Sequence, residues 1–340
     1  MVAGRLSIVR AAHLHDYVSV LRALGAPVDR ELERSRLPGR IEETPDLYVN
    51  TAVAMEWTAR AGRDLDPMEL GLLAARNASL STLRPIHQAS IVMAQTGLLR
   101  LTALAGISRF EDSTLDFGIR REGENVRILC DMTGLTRHPS ICFAEWLNLQ
   151  AVITVVRSVA GPWWRPSEMC FVASHRVPEA VKAAFPDTRI LLRQPQTSIV
   201  VARADLARPT KHAAAAGASS SADARDAPPA AWEFASLLRM MVQPYLREGS
   251  LDVASAAEMA GISTRTLQRR LKLCGSSYSR IVQEARFALA RTGLEDPALK
   301  IIDVAMMAGY ESPQHFSRAF RRFTGCTPTE YRHRSAEAGA

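Results

Sequence analysis

The sequence lacks the residue clusters on which most enzymes and metalloproteins depend. It has no P-loop, no Gly-x-Ser-x-Gly elbow and no Gly-x-Gly-x-x-Gly loop after a strand. Its cysteines are few and scattered, with no Cys-x-x-Cys pair and no Cys/His cluster at zinc spacing: Cys130, Cys142, Cys170, Cys274 and Cys326. The pattern predicts reduced thiols in a cytoplasmic protein, and we expect no cofactor, no metal site and no catalytic residues.

Long uninterrupted apolar runs are also absent. The most apolar window, residues 89–107, is interrupted by Gln95, Gly97 and Arg100. An arginine at the centre of a membrane span costs about 2.5–3.5 kcal/mol, so this window predicts a buried helix. The first residues contain no apolar stretch of the kind found in signal peptides. We therefore expect a cytoplasmic protein with no membrane partner.

One group of possible metal ligands stands near the start of the chain, where His13 and His15 precede Asp16. The three residues lie on one short helical stretch, and no second cluster completes a coordination sphere. We interpret the histidines as surface residues and not as metal ligands.

What the sequence does contain is an uneven excess of positive charge. The net charge of +7 and the pI near 9.5 favour polyanionic partners. Residues 207–231 are rich in Ala, Ser and Pro and lack large apolar side chains, which predicts a flexible linker. This linker separates a domain over residues 1–206 from a domain over residues 232–334, and the latter carries 15 Lys and Arg against 10 Asp and Glu.

The first domain mixes helical and strand periodicities. Its order favours an α+β domain with mostly antiparallel strands over a regular β-α alternation. A hairpin is predicted over residues 114–132, with its turn at Gly123-Glu-Asn125. The predicted helices cover residues 11–25, 49–62, 67–76, 84–105, 139–160 and 178–185, and the further strands cover 168–174, 188–193 and 198–202.

The second domain has no strand signal and contains two similar helical units, residues 253–275 and 301–325, about 48 residues apart. In each unit a short apolar helix is followed by a glycine, Gly261 or Gly309, which supplies the positive φ of a tight turn. A serine able to cap the next helix then follows. The segment 276–297 between the units predicts a linker helix that ends at Gly293.

The second helix of each unit is amphipathic. Its apolar face repeats at i, i+4 and i+7, as Leu267, Leu271 and Cys274 in one copy and as Phe316, Phe320 and Phe323 in the other. The polar faces carry side chains that can hydrogen-bond to base edges in the major groove. A helix-turn-helix motif places base contacts near the start of its second helix. The predicted base-contacting residues are Arg265, Gln268, Arg269, Gln314, His315 and Arg318.

These residues resemble the DNA-binding domain of the AraC/XylS family of bacterial transcription regulators. The stretch "IIDVAMMAGYESPQHFSRAFRRFTGCTPTEYR", residues 301–332, matches the signature of that family almost throughout. The resemblance implies an all-α domain with two helix-turn-helix motifs, and it supports the six base-contacting positions. It also implies phosphate contacts at helix N-termini and from nearby cations. The expected phosphate-contacting residues are Ser263, Thr264, Lys272, Ser312, Arg321 and Thr327.

The first 206 residues more loosely resemble the arabinose-binding-like N-terminal domain of some family members. This resemblance implies a domain that binds an effector or dimerises, without naming the effector. Four aromatic residues could line an apolar ligand pocket, although core packing explains them equally well: Phe143, Trp146, Trp163 and Trp164.

Together these observations predict a sequence-specific transcription regulator that is controlled by a small-molecule effector. We expect an activator that binds double-stranded promoter DNA as a homodimer, works with RNA polymerase and associates with the nucleoid. Two alternatives remain open at this point. An enzyme fused to a DNA-binding domain would need an activated cysteine or a metal cluster, and an architectural DNA-binding protein would need no ligand.

Overall fold

The computed structural model of the protein describes residues 6–39, 41–78, 80–210, 233–249 and 251–338. Within these residues the chain forms two compact units. The first unit contains most of the chain up to residue 210. The second contains the chain from residue 233 onward together with the short segment Leu47–Asn50.

The first unit is an α+β domain, as predicted. Its helices are α1 (Ala12–Ala23), α2 (Val28–Glu33), α3 (Thr51–Ala61), α4 (Pro67–Asn77), α5 (Pro85–Val92), α6 (Gly97–Glu111), α7 (Ile141–Ala160), α8 (Glu179–Ala184) and α9 (Arg203–Ala207). Its strands are β1 (Ile8–Arg10), β3 (Leu115–Glu122), β4 (Asn125–Met132), β5 (Glu168–Cys170), β6 (Arg189–Leu191) and β7 (Thr197–Ala202). Two 3-10 turns, Ile41–Glu43 and Leu80–Thr82, complete the described elements of this unit.

The main sheet has the strand order β3-β4-β7-β5-β6. The predicted hairpin is confirmed: β3 and β4 pair antiparallel from Leu115↔Met132 to Glu122↔Asn125, and Gly123 has a φ of +60° in the turn. Strand β7 pairs antiparallel with both β4 and β5, while β5 and β6 run parallel. The last of the described strands therefore lies at the centre of the sheet.

Helix α7 is the core of the first unit. Its Trp146 is fully buried and packs on Phe171 at a centroid distance of 5.1 Å. Helix α4 approaches Trp146 through Gly71, where a Cβ would lie 2.2 Å from the indole Cδ1. The buried Glu145 carboxylate accepts hydrogen bonds from the amides of Val172 and Ala173 and from a threonine hydroxyl of β7, so α7 is fixed to the sheet.

The single helix predicted over residues 84–105 is two helices, α5 and α6. The break has a local cause, because the Thr96 hydroxyl accepts a hydrogen bond from the Leu99 amide and caps α6. The Arg100 guanidinium donates to the carbonyls of Val92 and Ala94, which the end of α5 leaves unpaired. The arginine that interrupts the apolar window thus stabilises the turn between two helices.

The residues at the start of the predicted linker pack on the first unit. The Thr210 amide donates to the Gln95 carbonyl at 2.9 Å, and Thr96 forms a β-bridge with Pro209. The remainder of the predicted linker, residues 211–231, lies outside the described residues.

The second unit is helical from residue 233 onward. It contains α10 (Phe234–Val242), a 3-10 helix (Gln243–Glu248), α11 (Val253–Met259), α12 (Thr264–Leu273), α13 (Tyr278–Glu295), α14 (Ile301–Met307), α15 (Pro313–Thr324) and α16 (Pro328–Ala338). The segment Leu47–Asn50 contributes strand β2 (Tyr48–Asn50). The buried Asn50 side chain donates to the Met259 carbonyl at 2.7 Å and so satisfies a carbonyl at the end of α11.

Candidate nucleic-acid interface and effector cavity

Helices α11 and α12 form the first helix-turn-helix motif. The turn passes through Gly261 at a φ of +65°, and no atom lies within 4 Å of the Cβ that another residue would place there. The Ser263 hydroxyl accepts a hydrogen bond from the Thr266 amide at 3.2 Å and caps α12. The turn glycine and the cap therefore act as the sequence predicts.

The buried face of α12 is shorter than predicted. Leu267 and Leu271 are fully buried, but Cys274 is exposed. Cys274 is the C-cap residue of α12, where the backbone leaves the helical path, so the i+7 position no longer faces the core.

Helices α14 and α15 form the second motif. Gly309 has a φ of +77°, the Ser312 hydroxyl caps α15 by accepting from the His315 amide at 3.2 Å, and Pro313 occupies the first helical position. Phe316 is 1% exposed and Phe320 is 3% exposed, which confirms two of the three predicted anchors.

The third anchor, Phe323, is 45% exposed. Its ring still rests on Phe287 of α13, with a centroid distance of 4.8 Å. Phe287 also contacts Phe320 at 5.4 Å, so α15 is attached to α13 by an aromatic cluster.

Helix α13 and helix α10 connect the two motifs. The Arg286 guanidinium of α13 lies 5.0 Å from the ring centroid of Tyr310 in the second turn, and α10 packs on both α12 and α13. Helix α13 continues two residues beyond the predicted end at Gly293, because this glycine is a packing position: a Cβ there would lie 3.2 Å from Val304 of α14.

The polar faces of α12 and α15 are exposed to solvent. Within the described part of the chain, no ion pair or side-chain hydrogen bond joins any of the six predicted base-contacting side chains to another residue: Arg265, Gln268, Arg269, Gln314, His315 and Arg318. Three of these side chains lie near the start of α12 and three near the start of α15, so both groups are available to an external partner.

The predicted phosphate-contacting residues divide into two groups. The hydroxyls of Ser263, Ser312 and Thr327 accept hydrogen bonds from amides at the start of α12, α15 and α16, and Thr264 is half-buried. A capping hydroxyl keeps one hydrogen to donate to a phosphate oxygen. Lys272 and Arg321 are exposed cations farther along the same helices.

A cavity of about 110 Å³, partly open to solvent, lies in the first unit. Its wall comes from α1, α3, α6, α7, β3 and the turn at 80–82, and most of it is apolar. Two polar atoms in the wall, Thr51 Oγ1 and Asn148 Nδ2, are buried without a hydrogen-bond partner among the described residues. A group inside the cavity could pair with them.

One part of the cavity wall belongs to a buried charge network. The Glu111 carboxylate accepts a hydrogen bond from Arg10 Nη1 at 2.7 Å, and His13 Nε2 and His87 Nδ1 each lie 2.9 Å from its oxygens. Burial alone would raise the pKa of Glu111, but the contacts with His13 and His87 and the charge of Arg10 outweigh it and hold the pKa well below its usual range. The wall therefore contains a carboxylate that stays ionised.

His13 differs from the surface position expected for it, because it contacts Glu111 and lines the cavity. Burial raises the pKa of the nearby Asp16 to about 6, against the charges of His13 and His15. Among the residues that the structure describes, no group of three or more His, Cys, Asp and Glu side chains could hold a metal ion.

Of the four aromatic candidates for effector binding, the structure places one at the cavity. Phe143 lines it and packs edge-on against Tyr17. Trp146 is buried in the core against Phe171 and does not line the cavity, and Trp163 is 83% exposed. The Trp164 indole donates to Asp205 at 3.0 Å, which fixes it near α9.

Two family models match this chain. Residues 25–210, more than half of the chain, match the model described as the arabinose-binding domain of AraC transcription regulators, N-terminal, and residues 256–334 match a helix-turn-helix domain. The chain belongs to the AraC family of transcription regulators. As a member of this family, it is a DNA-binding regulator with an N-terminal domain that contains the sheet and a helical C-terminal domain.

Several AraC-family proteins and structures are similar to it. The HTH-type transcriptional regulator VirS of Mycobacterium tuberculosis is 24% identical over 337 residues, covering 96% of each chain. The transcriptional activator NphR of a Rhodococcus species is 29% identical over 103 residues, covering 30% of this chain and 31% of its own. The crystal structure of the transcriptional regulator CdpR from Pseudomonas aeruginosa is 19% identical, covers 94% of this chain and 96% of its own, and has a TM-score of 0.44.

The cavity of this AraC-family protein could not be identified from the sequence alone. Its polar residues Thr51, Glu111 and Asn148 come from three helices that are far apart in the sequence. The one local signal was the pair of carboxylates, Glu111 and Asp112, at the end of a mostly apolar helix. No helix among the described residues is long and apolar enough to cross a membrane.

Proposed function

We propose that this AraC-family protein reads promoter DNA with α12 and α15 and that an effector in the cavity of the first unit controls it. We further propose that residues 1–206, the linker 207–231 and residues 232–334 act as its effector, linker and DNA-binding parts, in the cytoplasm. The observation that carries the first proposal is the set of exposed polar side chains at the starts of two capped helices, held by a common aromatic and helical support.

The six exposed side chains contribute direct base readout. An arginine can donate two hydrogen bonds to guanine O6 and N7, and glutamine can pair with adenine, at about 1–3 kcal/mol of discrimination for each good pair. The cations Lys272 and Arg321, with the amides at the helix starts, contribute phosphate contacts that fix orientation. Their affinity contribution falls with salt because it comes from counterion release.

The experiment is a selection of bound duplexes from a random library with the full chain, followed by fluorescence anisotropy on the selected site. Arg318→Ala should weaken binding about 5- to 150-fold and relax specificity at one position. Arg265→Ala should also weaken binding and relax specificity at one base position, about one turn of the DNA helix away from the position that Arg318 contacts. Arg321→Ala should weaken binding to all DNA sequences equally and reduce the slope of log affinity against log salt concentration by about one.

The matched control is Arg291→Ala, because Arg291 is an exposed arginine of α13 that faces Glu295 at 3.8 Å. It should leave affinity and specificity unchanged. If Arg318→Ala left the selected sequence unchanged while Arg291→Ala altered it, α15 would not be a reading helix.

We propose that the protein is a homodimer. What supports this is a run of exposed large apolar side chains on the packed helices α5 and α6 and the turn between them, of a kind that marks interaction surfaces. They are Ile86, Val92, Met93, Leu98 and Leu99. A two-fold dimer would also present two DNA-binding parts to two half-sites.

Sedimentation velocity of the full chain tests the dimer. The double change Met93→Glu and Leu99→Glu should yield monomers. Leu273→Glu, at an apolar side chain of α12 that is 81% exposed, is the matched control and should leave the dimer intact. A wild-type chain that sediments as a monomer at micromolar concentration would refute the proposal.

We propose that the protein activates transcription together with RNA polymerase. The name of its relative NphR, a transcriptional activator, supports this direction. A promoter fused to a reporter in a strain without the chromosomal gene gives the test: expression should rise when the protein is supplied, and a fall would identify a repressor.

We propose no catalytic role, because the cysteines that an enzyme would use are poorly placed for one. Burial raises the pKa of the Cys142 thiol to about 12 and raises the pKa of Cys130 and Cys170 as well. These thiols are protonated at neutral pH and are weak nucleophiles.

A further inference from the structure

The chemistry of the cavity wall selects a class of effector, and this inference rests on the proposed role of the cavity. The volume of about 110 Å³ is several times what one water needs and is comparable to an engineered protein cavity of about 150 Å³ that holds benzene. The space therefore suits a molecule built on a single ring or a similarly short chain.

Most of the wall offers only apolar contact. The buried residues that line it come from α1, α3, α6, α7 and the position after the turn at 80–82: Leu14, Met55, Leu104, Phe143 and Leu83. A ligand that buries apolar surface against them gains roughly 25 cal/mol for each Å² removed from water. The body of the ligand should accordingly be hydrocarbon.

Several hydrogen-bonding groups of the wall already have protein partners. The Thr58 and Ser108 hydroxyls donate to backbone carbonyls of their own helices, and the Gln150 amide donates to Thr154. Thr51, which is 3% exposed, and Asn148 keep the two unpartnered polar atoms. A ligand with one or two oxygens can meet both.

A sugar does not fit this pattern. Each buried hydroxyl that finds no partner costs about 1–3 kcal/mol, and a pentose has a hydroxyl on almost every carbon. The two unpartnered polar atoms of the wall can meet only two of them, and most of the remaining wall is apolar.

A charged ligand does not fit either. The lining residues that the structure describes include no lysine or arginine, and the one histidine, His13, already contacts Glu111. A carboxylate would approach the ionised Glu111 without a cation of its own. An ammonium group would find that carboxylate already paired with Arg10.

We propose that the effector is an uncharged, ring-sized molecule with an apolar body and one or two hydrogen-bonding oxygens, of the alcohol, phenol or ketone class. The Thr51 hydroxyl and the Asn148 amide hold its oxygen. Although residues 25–210 match a family model described as arabinose-binding, the wall of this cavity suits a less polar ligand than a sugar.

The experiment measures binding to the full chain by isothermal calorimetry and by thermal shift, with probes of similar size that differ in the polar group. The probes are benzyl alcohol, toluene, benzoate, benzylammonium and L-arabinose. Benzyl alcohol should bind saturably and raise Tm, and its affinity should exceed that of benzoate, benzylammonium and arabinose at least tenfold.

The variant Thr51→Val tests the anchor. It should weaken the binding of benzyl alcohol about fivefold, which corresponds to the loss of one hydrogen bond, and leave the affinity for toluene unchanged. Toluene also reports whether the variant keeps the cavity, so a folding defect would show as loss of both ligands.

Three outcomes overturn the proposal. The proposed effector class is wrong if benzoate or arabinose binds as tightly as benzyl alcohol, or if no probe binds. Neither result contradicts the proposal that the cavity holds an effector of another class. An equal loss of toluene and benzyl alcohol in a folded Thr51→Val protein refutes the anchor. A separate experiment tests the effector role. That role is refuted if Ala144→Met, which fills the cavity, leaves regulated transcription from the reporter promoter unchanged.

Discussion

The two turn glycines provide a test of how the reading helix α15 is positioned. Gly261 and Gly309 occupy the same place in the two motifs and have similar φ values of +65° and +77°. Their surroundings differ. A Cβ on Gly261 would meet no atom within 4 Å, whereas a Cβ on Gly309 would lie 2.3 Å from the carbonyl oxygen of Leu246, in the 3-10 helix Gln243–Glu248.

The magnitude of each substitution follows from these contacts. Gly261→Ala places an L residue in the left-handed region, at about 1–2 kcal/mol. Gly309→Ala incurs the same strain, and in addition the buried Leu246 carbonyl must move by nearly 1 Å, which overpacking data put at about 1–3 kcal/mol. The two variants should therefore differ by about 1–3 kcal/mol, and Gly309→Ala should also weaken DNA binding.

Hydrogen exchange of the full chain measures both effects, in peptides that cover α11–α12 and α14–α15. Asparagine adopts positive φ more readily than alanine. Gly261→Asn should therefore recover stability, while Gly309→Asn should remain as damaged as Gly309→Ala. Equal destabilisation at the two glycines, or recovery of Gly309→Asn, would show that the approach of Leu246 does not position the second motif.

Three further predictions concern single side chains. Because the pKa of Asp16 is raised to about 6, the folded chain holds a proton that the unfolded chain releases between about pH 4 and 6, so the contribution of Asp16 to stability falls as pH rises through this window. Asp16→Asn should reduce the fall in Tm between pH 4 and pH 6 and raise stability above pH 6 by about 1–2 kcal/mol, allowing for partial exposure, whereas the exposed Asp64→Asn should keep the wild-type pH dependence. Asn50→Ala leaves the Met259 carbonyl without its donor and should lower the exchange protection of α11 by about 1–3 kcal/mol, a result that unchanged protection would contradict. Ser312→Ala should destabilise α15 by about 1 kcal/mol. Ser312→Asp should restore the helix cap but weaken DNA binding, while Ser312→Asn should restore the cap without weakening DNA binding. Equal DNA affinity of the Asp and Asn variants would place Ser312 away from phosphate.

The DNA-binding part could be predicted because its signals are local. The positive φ at Gly261 and Gly309 and the caps at Ser263 and Ser312 depend on residues within three positions in the sequence. One error arose where packing against a neighbouring helix decides the role of a residue: Gly293 has the sequence signature of a helix end but accommodates Val304 of α14.

The cavity could not be predicted because its residues meet only in the folded chain. An aromatic residue in an apolar helix predicts burial, but it does not say on which side of the helix the cavity lies. Phe143 and Trp146 are three positions apart on α7, yet Phe143 faces the cavity and Trp146 faces Phe171. The charge network is equally hidden, since Arg10 and Glu111 are 101 residues apart.

The strand order of the main sheet has a consequence for the timing of folding during synthesis. Among the five strands of this sheet, β7 is the last to leave the ribosome, yet it lies between β4 and β5 and pairs with both. Until Thr197–Ala202 emerges, β4 exposes one edge and β5 has only β6 beside it, and such unpaired edges attract other chains. The first unit therefore completes its sheet only after about 200 residues have been made. A ribosome that stalls before Thr197 releases a chain whose sheet edges are open to aggregation.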